Sequence, residues 1–228
     1  MVQMTSRFKW FRWWRWLILL GAPAALGLLE LWHPSHVYFD HMLAHAEEGD
    51  WWLTLHIYQL PLFALVATSI WLLLKEVDHF FACISRIALW IFAITYTAFD
   101  TLAGISTGIL IKYMRDAAIT VDDPAYDRMY ELFLSLFNLD MPGGELLITL
   151  AVWSWVAAVL FAAIALYLKG VNRAGVILIG ASAFTFQTHV YPNGPITMAL
   201  LLAGIICIEF FPHIWNEASI KKEEVVTK

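Results

Sequence analysis

Charge is what this 228-residue chain has least of: Asp, Glu, Lys and Arg together make up 14% of it, against about 25% in an average soluble domain. Cysteine is nearly absent, and Cys83 and Cys207 are too few for a disulfide framework. The net charge of −5 gives no polycationic footprint, so nucleic acid is not an expected partner. No phosphate-binding loop, dinucleotide fingerprint, zincin helix or nucleophile elbow is present. These absences exclude disordered chains, secreted disulfide scaffolds and the common soluble enzymes.

What fills the space is apolar. The AVILMFWYC set reaches 61%, with 12 Trp and 15 Phe, and mean hydropathy is +0.67. A soluble chain of this length could not hide so much apolar surface. Runs of roughly 20 apolar residues, the length of a spanning helix, fall at about 14–32, 51–74, 87–111, 146–168, 174–191 and 195–215. Barrel strands alternate and are about half as long. The expected fold is therefore an all-α integral membrane protein, a six-transmembrane-helix bundle read as one polytopic domain over 1–228.

Basic residues set the orientation. Arg7, Lys9, Arg12, Arg15, Lys75, Arg86, Lys169, Arg173, Lys221, Lys222 and Lys228 share one side, and Lys112, Arg115 and Arg128 lie opposite among acidic residues. The positive-inside rule then puts both termini in the cytoplasm of a cell-membrane protein. Trp10, Trp13, Trp14 and Trp16, interleaved with Arg and Lys, read as an interfacial anchor on an uncleaved first span.

Two outer segments are more than loops. His41 and His45, four apart, would share a helix face and could chelate a metal with Asp40, Glu47 or Glu48. An ordinary half-polar interfacial helix explains them as well. Asp123-Pro124 reads as a helix start, after which Tyr126, Met129, Tyr130, Phe133 and Phe137 line one face of an amphipathic helix expected on the outer surface.

Polar residues at membrane depth are costly, so their positions carry information. In the third span Tyr96, Asp100, Gly104 and Gly108 recur every four residues, and the two glycines would admit another helix closely. Topology brings Glu30 and His33 (first span), His56 and Gln59 (second), and Gln187 and His189 (fifth) to the same outer level, with Asp100 just beneath. Four helices thus deliver a carboxylate or an imidazole to one slab.

Four readings of that slab are open. In the first, His33, His56 and His189 hold a zinc-like divalent metal, Glu30 and Asp100 act as ligand or acid/base, and Gln59 and Tyr96 orient a ligand or substrate. This would be a metal-dependent hydrolase acting on a lipid-like substrate within the bilayer. The residue types are similar to the three His and one Asp of the membrane hydrolase superfamily that includes the alkaline ceramidases. Six expected spans rather than seven, and a last span without paired His, depart from that pattern, and no residue role is carried over. In the second reading His56 and His189 are axial ligands of haem b in an electron-transfer subunit. In the third, Asp100 binds a cation or relays a proton in a transporter. In the fourth the polar residues are glue in a structural or assembly subunit.

Overall fold

A computed structural model describes residues 13–34, 39–186 and 189–211. The described chain is helical, with no strand among these residues. Helix α1 covers 13–30, α2 Phe39–Ala44, α3 Ala46–Leu73, α4 Phe80–Asp116, α5 Tyr126–Phe137, α6 Gly144–Leu168, α7 Arg173–Thr185 and α8 Asn193–Phe210. Four of them, α3, α4, α6 and α8, are long and apolar enough to cross a membrane, and α7 is a shorter apolar helix.

The helices depart from the expected spans at their ends. α3 begins at Ala46 and α4 runs from Phe80 to Asp116, so both extend past the apolar runs that announced them. Hydropathy sees only the apolar part of a helix, whereas backbone hydrogen bonding continues through Glu47, Glu48 and Asp50. The fifth stretch, expected over 174–191, ends as helix at Thr185, and His189–Pro192 is non-helical. Gln187 and the end of the sixth stretch, 212–215, lie outside the described residues.

Asp123 and Pro124 do not cap α5 directly. The Asp123 carboxylate accepts a hydrogen bond from Ala125 N at 2.7 Å, and the helix starts at Tyr126. Its apolar face is used as the periodicity predicts. Tyr126 and Phe133 join Phe39, Met42, Trp52, Leu110, Ile111 and Met114 in a small buried cluster at one end of the molecule.

The main core lies between the long helices. Phe63, Phe92, Tyr96, Trp155 and Phe186 form a buried aromatic knot. Between membrane helices such packing stabilises through close contact, because lipid is as apolar as the side chains. Small residues allow that contact. A Cβ on Gly175 would stand 2.8 Å from Gly204 O, and one on Gly27 would stand 2.9 Å from Met198 Cβ. At the end remote from the small cluster, α1 and α8 are joined by the Arg15–Glu209 ion pair (Nη1 to Oε2, 3.0 Å), beside stacked Trp16 and Phe210.

α4 widens into a π-helical stretch over Thr101–Ser106. In an ordinary α-helix residues four apart drift by about 40° per step, so Tyr96, Asp100, Gly104 and Gly108 would wind away from a common line. A wider turn in the middle of the series offsets this drift. It keeps the four on the side of α4 that meets α3 and the His189 turn.

Candidate metal centre

The site is built at helix ends and close helix approaches. α1 stops at Glu30, and the turn behind it delivers His33. α3 presents His56 and Gln59 one turn apart, α4 presents Tyr96 and Asp100, and the turn before α8 presents His189. One ring nitrogen each from His33, His56 and His189 lies within 4.8 Å of the other two. Ring centroids are 5.2 Å apart for His33–His56, 4.8 Å for His33–His189 and 6.4 Å for His56–His189.

All three rings are held by the same atom. His33 Nδ1 is 2.9 Å from Pro34 O, and His56 Nδ1 is 2.7 Å from Trp52 O. A carbonyl only accepts, so both Nδ1 atoms carry the proton and Nε2 is the bare nitrogen. His189 Nδ1 lies 2.8 Å from Tyr96 Oη, which can accept from it and leave Nε2 bare as well. An N–H anchored on a carbonyl or hydroxyl, with the opposite nitrogen free, is the arrangement that orients imidazole toward a metal.

Carboxylates complete the set. Asp100 Oδ1 lies 3.9 Å from His56 Nε2. Gln59 Nε2 donates to Glu30 Oε1 at 2.7 Å. Glu30 and Gln59 are fully buried, and Asp100 is 1% exposed. Six buried side-chain atoms among the described residues have no hydrogen-bond partner: Glu30 Oε2, His33 Nε2, Gln59 Oε1, both oxygens of Asp100, and His189 Nε2. All six belong to this one cluster. Buried polar atoms are normally satisfied, so the concentration of these six in one place sets the cluster apart from the rest of the described core.

Glycine makes the cluster possible. A Cβ on Gly104 would fall 2.0 Å from His56 Cδ2, so the imidazole lies flat against bare backbone. On Gly194 a Cβ would fall 3.1 Å from Glu30 Cδ. Trp52 forms the wall on the side of the small cluster. Its Nε1 donates to Gly104 O at 2.9 Å, and its ring lies 4.2 Å from that of His56 and 5.4 Å from that of His33.

The structure therefore brings together Glu30, His33, His56, Gln59, Tyr96, Asp100 and His189. His41 and His45 stay apart from them. His41 pairs with Glu48, His45 Nδ1 bonds to His41 O, and Asp40 accepts from Tyr126. Sequence reasoning did not single out Trp52, the Pro34 carbonyl or Gly194. The first two act through a backbone oxygen or a ring wall, for which residue type gives no signal.

No family model, curated protein or solved structure matches this chain.

Proposed function

We propose that this is a six-span membrane protein, with both termini cytoplasmic and α5 on the outer surface, that holds a zinc-like divalent ion on His33, His56 and His189. In this reading it is a hydrolase acting on a lipid-like substrate. The observation that carries the proposal is the convergence of three tethered imidazoles on a point surrounded by unpartnered carboxylate oxygens. Three His ligands with one open position is a recurrent catalytic zinc arrangement. The ion would supply an acidified water. Glu30 or Asp100 would accept a proton from that water as an ester or amide is cleaved and return it to the alcohol or amine that leaves. Gln59 fixes Glu30, and Tyr96 fixes His189.

The packing favours a compact ion over haem. A porphyrin held between His56 and His189 needs an open slot between them, whereas the His33 ring packs against both, with centroids 5.2 and 4.8 Å away, and Trp52 packs 4.2 Å from His56. Cation or proton carriage is the second reading, favoured by the complete burial of Asp100 with neither oxygen bonded.

Multi-element analysis of detergent-purified protein tests the proposal. About one zinc-class ion per chain, lost in His56→Ala, is expected, together with hydrolysis of a fluorogenic lipid ester or amide in mixed micelles. Metal-free wild-type protein refutes the metal centre. Metal without hydrolysis, but with Asp100-dependent ion flux in liposomes, moves the function to transport.

A further inference from the structure

The geometry points to a binding groove for an anionic phospholipid on the outside of the α3–α4 seam, toward the end of the bundle that holds the Arg15–Glu209 pair. It does not depend on the metal reading. Ala64, Ala67 and Trp71 of α3 and Leu89, Trp90 and Ala93 of α4 line a groove of about 360 Å³ there. That volume falls within the roughly 300–1,000 Å³ of small-molecule sites. Three alanines keep its floor low, and Trp71 and Trp90, 37% and 63% exposed, stand up beside it. Thr68 also lines it and donates its hydroxyl to Ala64 O at 2.8 Å. The lining is therefore hydrocarbon apart from the two indole N–H groups.

Both helices are long and apolar enough to cross a membrane. Ala64, Thr68, Trp71 and Trp90 are exposed on them, so the groove opens toward lipid and an acyl chain is the occupant that its surface fits. Arg86 decides which lipid. It lies one turn before Trp90, and its guanidinium stands 5.8 Å from the centroid of the Trp71 ring, within cation–π range. Its Nη2 donates to Leu74 O at 2.6 Å and to Val77 O at 3.1 Å. These bonds cover the carbonyl end of α3, whose negative dipole would otherwise repel an anion.

The two bonds use both protons of Nη2 and leave the N–H groups of Nε and Nη1 for an acceptor on another molecule. Lys169 brings a second cation to the same turn, where its Nζ donates to Glu76 O at 3.0 Å. Among the described residues no carboxylate pairs with Arg86 or Lys169. A phosphate diester presents two oxygens that match the guanidinium fork. Basic pockets between membrane helices hold anionic headgroups, and tryptophan favours the headgroup level. The lipid therefore lies with its phosphate at Arg86 and one chain over Ala67, Ala93 and Ala64. A headgroup that adds its own ammonium would meet two cations, so a net negative lipid is preferred.

The test is photolabelling of the full chain in mixed micelles. The probes are a phosphatidylglycerol and a phosphatidylcholine, each with a diazirine in one acyl chain and each kept below saturation, and labelled residues are read by peptide mass spectrometry. Wild-type protein should be labelled within Ala64–Trp71 or Leu89–Ala93, about 5-fold more by phosphatidylglycerol, the effect of one cation on an anionic lipid. Arg86→Gln should bring the two yields together. Ala64→Phe fills the groove without touching its charge and should lower labelling of both segments by both lipids, which keeps the test open if Arg86→Gln does not fold. Equal labelling of wild-type protein by the two lipids overturns the inference. So does undiminished phosphatidylglycerol labelling in folded Arg86→Gln, or wild-type yields in Ala64→Phe.

Discussion

Adding a single methyl group at Gly104 tests the metal centre most directly. Gly→Ala inside a helix ordinarily stabilises by about 0.5–1 kcal/mol. Here the new Cβ would lie 2.0 Å from His56 Cδ2, 2.4 Å from Cγ and 2.8 Å from Nε2. It meets the ring at its root, so a small tilt cannot relieve the clash, and the imidazole must leave its seat. Leaving breaks the Nδ1 bond to Trp52 O, a loss of about 1 kcal/mol, on top of about 1–3 kcal/mol of overpacking. The net expectation is a destabilisation of about 2 kcal/mol, opposite in sign to the usual effect. Metal affinity should fall by at least about 100-fold, the upper end of what losing an outer-shell partner costs. Gly180→Ala is the matched control, because its Cβ would find Ala163 Cβ at an ordinary 3.7 Å. Melting in detergent and metal content are read on the same preparations. If Gly104→Ala melts and holds metal like Gly180→Ala, the seating of His56 against α4 is wrong.

Two further outcomes are expected. Tyr96→Phe keeps the aromatic knot but removes the 2.8 Å partner of His189 Nδ1. Metal affinity should drop by about 10–100-fold with little change in melting, as a competition titration with a chromophoric chelator would read. Away from the membrane core, the hydrogen bond from Tyr126 to Asp40 pushes the Tyr126 phenol up to about 12. A raised value in the folded state means the neutral phenol is the form the fold prefers. Its contribution is therefore whole below about pH 10 and disappears as pH rises through about 12. Melting curves from pH 8 to 12 should show a wild-type advantage over Tyr126→Phe that fades across that window.

Much of the site could be read from residue types and topology. Apolar runs place His56 and Gln59 near the start of the second stretch and Glu30 and His33 near the end of the first, and these four meet in the structure. The spacing of Tyr96, Asp100, Gly104 and Gly108 correctly implies one face of α4, and the glycines admit α3 through His56 and Leu53. The π-helical stretch that keeps this face aligned was not legible, because a widened turn has no compositional mark at Thr101–Ser106. Nor were the tautomers of His33 and His56, which the carbonyls of Pro34 and Trp52 fix. Every residue supplies a carbonyl, so only folding reveals which ones matter. The expected fifth stretch runs past the end of α7 at Thr185 because Phe186, Val190 and Tyr191 keep the local composition apolar on either side of Gln187, Thr188 and His189. The chain instead turns there, and that turn is what aims His189 at the other two rings.

The Arg15–Glu209 pair carries a consequence for biogenesis. Its partners are 194 residues apart in sequence. During synthesis the guanidinium on α1 is made long before the carboxylate on α8 exists. Until α8 is made, that guanidinium has no Glu209 to pair with. Arrival of α8 quenches that cation, and the same step seats Gly194 against Glu30 and carries in the turn that bears His189. Closure of the bundle and completion of the ligand set are thus one event. A chain released before α8 would lack both the third imidazole and the partner of Arg15.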